Sequence, residues 1–337
     1  MATIKMVADH AGVSTATVSR VLSYPERVQP ETRRKVRAVI DALGYAPNFA
    51  AKSLRTLRTR KIVVMVPDIS NPFYAEVLRG AEDAAQVAGY SLLLGDTRDM
   101  PEREAQYADM LLRKEADGLI FLGHRLPSSL TKLVAETGFQ SPIVNACDFS
   151  SELGVCSVHI DNARAATDAV QLLLSMGHRR IALLAGPETS PLTRERLAGV
   201  RHAALVAGVA DRLVITHGDY TILSGMALAS GLLDAETAPT AMFCFSDEMA
   251  IGALAACRER GLVCPDDISI VGFDDVRYAR FQNPPLTTVR QPMNLIGVEA
   301  VRLLLTLLRD GGKPERHWLT LPHDLIVRGS TGPAPRR

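Results

Sequence analysis

Apolar positions in the first 45 residues recur at intervals of three and four, and from residue 62 onward they gather into short runs separated by longer amphipathic stretches. The first pattern is that of helices burying one stripe. The second is the beat of strands alternating with helices, which builds parallel sheets flanked by helices. Near the N-terminus, Thr3 is placed to cap a helix whose inner stripe is Val7, Ala8 and Ala11, and Gly12 gives the backbone freedom for a sharp turn plugged by Val13. Ser14 is placed to cap a second helix that turns Val18, Val21 and Leu22 toward the first and leaves Thr15, Ala16, Thr17, Ser19 and Arg20 outward. A third helix starts at Pro30, buries Val36, Ile40 and Leu43, and stops at Gly44. Short outward side chains let a helix backbone approach the major groove while hydroxyls and a guanidinium reach phosphates and base edges.

Further on, strands are expected at residues 62–66, 91–94, 118–122, 143–145, 181–185, 214–217, 241–245 and 268–271, with helices between them and Gly89, Gly177 and Gly261 as helix stops. About 270 residues of this pattern exceed what one sheet needs, and residues 61–95 are echoed by residues 180–218, so two similar lobes are expected. The fold class is therefore α/β: an all-α helix-turn-helix head followed by a two-lobed body of parallel sheets flanked by helices. In such sheets ligands bind beyond the carboxyl ends of the strands, which directs attention to the loops at 67–74, 147–149, 186–196, 218–220, 246–247 and 273–275.

Charge sharpens this picture. Residues 1–60 hold eleven basic and four acidic side chains, an excess of +7 that the rest of the 337-residue chain offsets to leave +1. Arg33, Arg34, Lys35 and Arg37 on the third helix add to a basic head fit to meet phosphates. With 47% hydrophobic and 22% charged residues the chain reads as a soluble globular protein of two or three folded units. No apolar run approaches the roughly 20 residues that span a bilayer, and no secretion-signal layout opens the chain, so it is expected in the cytoplasm and off the membrane. Five cysteines without a Cys-x-x-Cys pair read as reduced core thiols, and eight scattered histidines offer no zinc spacing. Neither a metal nor a cofactor is expected.

The strings VADHAGVSTATVSRVL, VQPETRRKV and LGYAPNFAAKSL resemble the head of the lactose-repressor (LacI/GalR) family of bacterial regulators. The resemblance implies that Thr15, Ala16, Thr17, Ser19 and Arg20 hold recognition-helix positions, with Thr15 and Ala16 the pair that varies with operator sequence, and that Thr3, Asn48, Lys52 and Leu54 join the DNA contacts. Residues 48–54 would be the hinge, and Leu54 the leucine that wedges between base steps in the minor groove, at a few kcal/mol of unstacking. Lys52 stands where the family more often has arginine. Taken bare, residues 47–60 read as a basic linker that folds on binding.

The body resembles the same family throughout, in VPDISNPFYAEVLRGAE, ADGLIF, VHIDN, LLLSMGHRRIALLAGPE, RLAGV, PTAMFCFSDEMAIGAL, ISIVGFDD and PPLTTVRQP. This implies a periplasmic-binding-protein-like effector domain and the layout 1–46 head, 47–60 hinge, 61–161 with 291–321 first lobe, 162–290 with 322–330 second lobe, and 331–337 tail. The closing STGPAPRR is expected to be disordered. Position by position the resemblance makes Arg196 the effector-binding arginine, Tyr220 an aromatic lid, Asp274 a sugar-hydroxyl acceptor, Phe73 and Tyr74 first-lobe stacking residues, Ser246 a polar contact and Gln291 a residue on a crossing strand. Cys147 stands where the family usually has Asp or Asn. Seen singly, an arginine four residues into a helix is most often a surface charge, a phenylalanine core, and an Asp-Asp pair after a strand a turn. Together they suit a ring-bearing polyol, with aromatic faces to stack and Arg196 and Asp274 to donate to and accept from vicinal hydroxyls.

Within the family, VPDI, LLLGD, GLIFLG and FC-x-SD point to a nucleoside or related pentose, and Leu192 replaces a hydroxyl used in purine binding. The implied function is a homodimeric repressor on palindromic operator DNA, modulated by a small molecule held between lobes. A transporter's solute-binding protein is the alternative that the body alone would permit, and the basic head argues against it. An enzyme is disfavoured, since no G-x-G-x-x-G, Walker loop, G-x-S-x-G or metal spacing occurs.

Overall fold

The structure, a computed structural model, describes residues 2–46, 58–309 and 312–335 and divides into two units, Met1–Thr59 and Arg60–Arg337. In the first, α1 (Ile4–Ala11), α2 (Thr15–Ser23) and α3 (Pro30–Leu43) pack mutually. Helices this short are marginal alone, and caps and a shared core hold them. Thr3 accepts from the Met6 amide at 3.3 Å, Ser14 from the Thr17 amide at 3.1 Å, and Gly12 takes the left-handed turn (φ 61°) between α1 and α2. The core is Val7, Ala8, Ala11, Val18, Val21 and Val36, closed by Ile4, Val13, Leu22, Ile40, Leu43 and Tyr45. The expected hinge residues Asn48, Lys52 and Leu54 lie outside the described residues.

In the second unit, β1 (Lys61–Val66), β2 (Ser91–Asp96), β3 (Gly118–Phe121), β4 (Ile143–Ala146), β5 (Cys156–Ile160) and β11 (Trp318–Leu321) form one sheet, ordered β11-β5-β4-β3-β1-β2 and wholly parallel. The other sheet joins β6 (Ile181–Ala185), β7 (Leu213–His217), β8 (Ala241–Cys244), β9 (Ser269–Asp274), β10 (Thr287–Arg290) and β12 (Asp324–Ile326) in the order β12-β10-β9-β8-β6-β7, with only β12 antiparallel. The two orders match place for place, which accounts for the echo between residues 61–95 and 180–218. Helices α4 (Pro72–Val87), α5 (Pro101–Leu112) and α6 (Thr131–Thr137) serve the first sheet; α7 (Asn162–Ser175), α8 (Pro191–Val206), α9 (Ile222–Leu233) and α10 (Asp247–Glu259) serve the second.

Central strands bury both faces, so they read as unbroken apolar runs. Along β1, Ile62, Val64 and Val66 join the core under α4 while Val63 and Met65 face a separate core with Ala108 and Leu111 of α5 and Val134 of α6. Each fully buried side chain of this kind contributes roughly 1.5–3 kcal/mol. The chain passes between the sheets three times: after Ile160, between Arg290 and α11 (Met293–Leu307), and between Leu321 and Asp324. Helix α11 packs back against α4, β3, β4 and β5, and its crossing with α4 is possible because both contact points are glycines. A Cβ on Gly80 would lie 2.0 Å from the Asn294 carbonyl oxygen, and one on Gly297 2.0 Å from that of Val77.

The C-terminal segment departs from the expectation of disorder. Ser330 and Thr331 are buried, and Ser330 Oγ accepts from the Thr287 amide (2.8 Å) while donating to the Ile270 carbonyl (2.6 Å). The Gly332 amide donates to Ser269 Oγ (3.0 Å), and the Ala334 amide to the Met176 carbonyl (2.9 Å). Through Ala334 the segment is therefore part of the second lobe rather than a free tail. Its small polar residues satisfy buried groups that water would otherwise have to reach.

Candidate DNA-reading helix and effector cleft

On α2, Thr15, Ala16 and Arg20 are exposed, whereas Thr17 and Ser19 are half-buried. Thr17 also shares a hydrogen bond with the Ser14 hydroxyl (2.9 Å), so its side chain serves the cap as well as the surface. Thr3 is exposed with its oxygen capping α1. Arg34, Lys35 and Arg37 are exposed on α3, and Arg33 is half-buried with a donor 3.4 Å from the Pro25 carbonyl. One feature escaped the sequence reading: Tyr24 is 53% exposed just after α2, with the Arg27 guanidinium 5.0 Å from its ring centroid.

In the body, Phe73, Tyr74, Cys147, Arg196, Tyr220, Ser246, Asp274 and Gln291 line one cleft of about 430 Å³, together with Asn71, Leu192 and Phe245. Each wall residue is held by its element. Asn71 caps α4 by accepting from the Phe73 amide (2.9 Å), which orients Phe73 and Tyr74 with their rings 5.2 Å apart, edge to face. Ser246 caps α10, accepting from the Met249 amide (3.2 Å) and donating to the Tyr220 carbonyl (3.3 Å). Tyr220 shares a hydrogen bond with Thr193 (2.9 Å), and its ring occupies the space that a Cβ on Gly186 would need.

Arg196 is buried. Its Nε donates to Asn162 Oδ1 (3.0 Å), one terminal nitrogen donates to the Phe245 carbonyl, and the guanidinium lies 3.6 Å from the Phe273 ring centroid. Asp274 is buried too and accepts from Gln291 Nε2 at 2.7 Å. Burial pushes the Asp274 carboxyl up from its ordinary value, with Arg196 and Gln291 opposing. Burial also raises the Cys147 thiol, with Asp148 and Asp274 adding to the effect.

Three non-glycine wall residues hold left-handed backbone: Cys147 (φ 74°), Tyr220 (φ 67°) and Asp274 (φ 114°). Such conformations cost on the order of 1–3 kcal/mol each and concentrate where a ligand is held.

Two family descriptions match the chain: "Bacterial regulatory proteins, lacI family" over residues 3–48 and "Periplasmic binding protein-like domain" over residues 170–331. The HTH-type transcriptional repressor CytR of Escherichia coli is 41% identical over 99% of this chain and 97% of its own length. The chain belongs to the lacI family. A lac repressor dimer bound to operator and the anti-inducer ONPF superposes with a TM-score of 0.88 at 30% identity, covering 98% of this chain and 99% of that one. An Enterococcus faecium lacI-family regulator with bound ribose gives 0.72 at 29%, covering 81% and 99%. This lacI-family protein is thus a DNA-binding transcriptional repressor with a ligand-binding domain, and its relatives are regulators rather than enzymes.

Asn71, Phe245, Thr193 and Asn162 support the site without any motif marking them as ligand contacts. Asn71 sits before Pro72, a helix-start signal that marks a cap, and Phe245 adjoins Ser246. Asn162 and Thr193 act by holding Arg196 and Tyr220, which no local pattern reveals. Among the described residues no helix is long and apolar enough to cross a membrane, and no cluster of three or more His, Cys, Asp or Glu is placed to hold a metal.

Proposed function

We propose that the cleft binds a nucleoside or a related pentose, and that binding changes the affinity of a cytoplasmic homodimer for palindromic operator DNA. The convergence of Phe73, Tyr74 and Tyr220 with Arg196, Asp274 and Gln291 on one cleft carries this reading. Aromatic faces stack on a ring, and the buried Arg196 and Asp274 address its hydroxyls or ring nitrogens. The ribose held by a relative of the same fold supports the pentose class. On α2, Thr15, Ala16, Thr17, Ser19 and Arg20, with Thr3, would meet the DNA. Pairing of two bodies is supported by exposed apolar residues on the second lobe, Ile222, Leu223, Tyr278 and Phe281.

Coupling requires the ligand to favour one arrangement of the lobes, since equal affinity for both would shift nothing. Calorimetry of the full chain against cytidine, adenosine, D-ribose and D-glucose, followed by gel-shift titration of operator DNA with each binder, tests the reading. At least one nucleoside or the pentose should bind and move operator affinity about fivefold or more. If none of them alters it, the effector class is wrong.

A further inference from the structure

Leu22 and Val28 both pack on the core of the head, and the stretch between them is pinned rather than loose. The Tyr24 amide closes the last turn of α2 by donating to the Arg20 carbonyl (2.8 Å). Pro25–Arg27 then makes a single 3₁₀ turn in which the Arg27 amide donates to the Tyr24 carbonyl (2.9 Å). From α3, a terminal nitrogen of Arg33 donates to the Pro25 carbonyl (3.4 Å). On this fixed turn Tyr24 is 53% exposed, and the Arg27 guanidinium lies 5.0 Å from its ring centroid.

The pair stands at the end of the exposed face of α2. Ala16, Arg20 and Tyr24 follow at intervals of four, so Tyr24 extends by one turn the ridge that Ala16 and Arg20 show to solvent. A recognition helix in the major groove reaches base edges with its N-terminal residues. Its other end then approaches the rim of the groove, where the phosphates run.

The way Arg27 is held suits a phosphate. Its carboxylate neighbour, Glu26, comes only to 3.8 Å, with both side chains largely in solvent, and such a pair contributes little. The Tyr24 ring instead engages the flat face of the guanidinium. That contact restrains the long side chain while leaving the N–H groups at its edge able to donate, whereas a close carboxylate would occupy them.

Resting on the reading of α2 as the helix that meets DNA, we infer that Tyr24 and Arg27 form a further DNA-contacting unit. Arg27 donates to a backbone phosphate at the rim of the groove that α2 enters, and Tyr24 is the positioning residue that holds the guanidinium there. A phosphate contact carries no sequence information of its own, so the unit adds affinity on every duplex and fixes how the head sits.

The test is fluorescence anisotropy of the full chain, without effector, over a series of salt concentrations. Two labelled duplexes are used: the one that the protein enriches from a random-sequence pool, and one of mixed sequence. Arg27→Ala should weaken both by a similar factor, roughly fivefold, and lower the slope of log affinity against log salt by about 1 for each head bound. Arg27→Lys should keep the slope, because the charge remains. Tyr24→Phe should bind as wild type does, because the ring remains. Tyr24→Ala should weaken binding, and adding Arg27→Ala to it should cost less than Arg27→Ala costs alone, because the two act as a unit. Melting temperatures report the fold of each variant, and Arg27→Gln replaces Arg27→Ala if the latter melts below wild type.

Unchanged affinity and slope in Arg27→Ala overturn the inference, and strictly additive losses in the double variant overturn the role of Tyr24. Losses confined to the enriched duplex would make Arg27 a base reader and overturn the phosphate assignment. Arg20→Ala, measured alongside, separates the two readings. If it weakens the enriched duplex while Arg27→Ala does not, this inference alone fails; if neither changes binding, the reading of α2 fails with it.

Discussion

Gln291 Nε2 donates to Asp274 Oδ1 across 2.7 Å, joining the segment that crosses between the lobes to the end of β9. Gln291 lies just after β10, where the chain leaves the second sheet for α11 against the first. A ligand that draws on the Asp274 carboxyl therefore acts directly on a partner of the crossing. Asp274→Asn should weaken effector binding roughly tenfold to a hundredfold, the range set by losing one charge-assisted acceptor, with operator affinity in ligand-free gel shifts unchanged. A normal ligand response in that variant would remove Asp274 from the site.

The buried Asp148 makes stability depend on pH in a definite direction. Its carboxyl ionises near 3.8 when unperturbed but only at about 7 in the fold. Between those values the folded state keeps a proton that the unfolded chain has lost, so stability falls as pH rises from about 4 to about 7 and levels off above. Asp148→Asn carries no such cost. It should melt several degrees higher than wild type at pH 8, reflecting on the order of a few kcal/mol, with the difference vanishing toward pH 4. Parallel melting curves across that range would contradict the burial of the Asp148 carboxyl.

Ser330 ties the C-terminal segment into the second lobe through two buried partners, the Thr287 amide and the Ile270 carbonyl. Ser330→Ala leaves both without that hydroxyl, at about 1–3 kcal/mol for each unsatisfied group. Urea unfolding of the full chain should show its midpoint lowered accordingly. A midpoint within error of wild type would mean that the segment is not bound as described.

For the head, Arg20→Ala should weaken operator binding by about 1–3 kcal/mol, or roughly tenfold to a hundredfold, and relax discrimination at one base position. Circular dichroism should show the fold intact. Leu54, outside the described residues, is tested by Leu54→Ala, which should reduce both affinity and DNA bending. Unchanged values for both would exclude the wedge.

The alternation of apolar runs with amphipathic stretches made the α/β body legible, because strands buried on both faces must be apolar throughout, as in IVVMV of β1 and IALLA of β6. The caps at Thr3 and Ser14 and the turn at Gly12 were legible for the same local reason: helix ends need particular side chains. Less visible were β5, β10, β11 and β12. Ser157 and His159 in β5 and Thr287 and Thr288 in β10 are polar yet buried. Their hydroxyls and ring nitrogens find partners far along the chain, as Thr288 Oγ1 does in Asp247 Oδ1 at 2.6 Å and His159 Nε2 in Thr320 Oγ1 at 3.3 Å.

Local patterning in the sequence thus determined the helix-turn-helix, the two repeating lobes and the residue types of a ligand site, since periodicity, capping and motif spacing act over a few residues. Tertiary structure alone decided that the C-terminal segment is bound rather than free and that Asp148 is buried. It also decided which second-rank residues, Asn162, Thr193 and Gln291, hold Arg196, Tyr220 and Asp274. Those outcomes depend on partners distant in the chain, and burial and hydrogen-bond satisfaction are properties of the packed molecule.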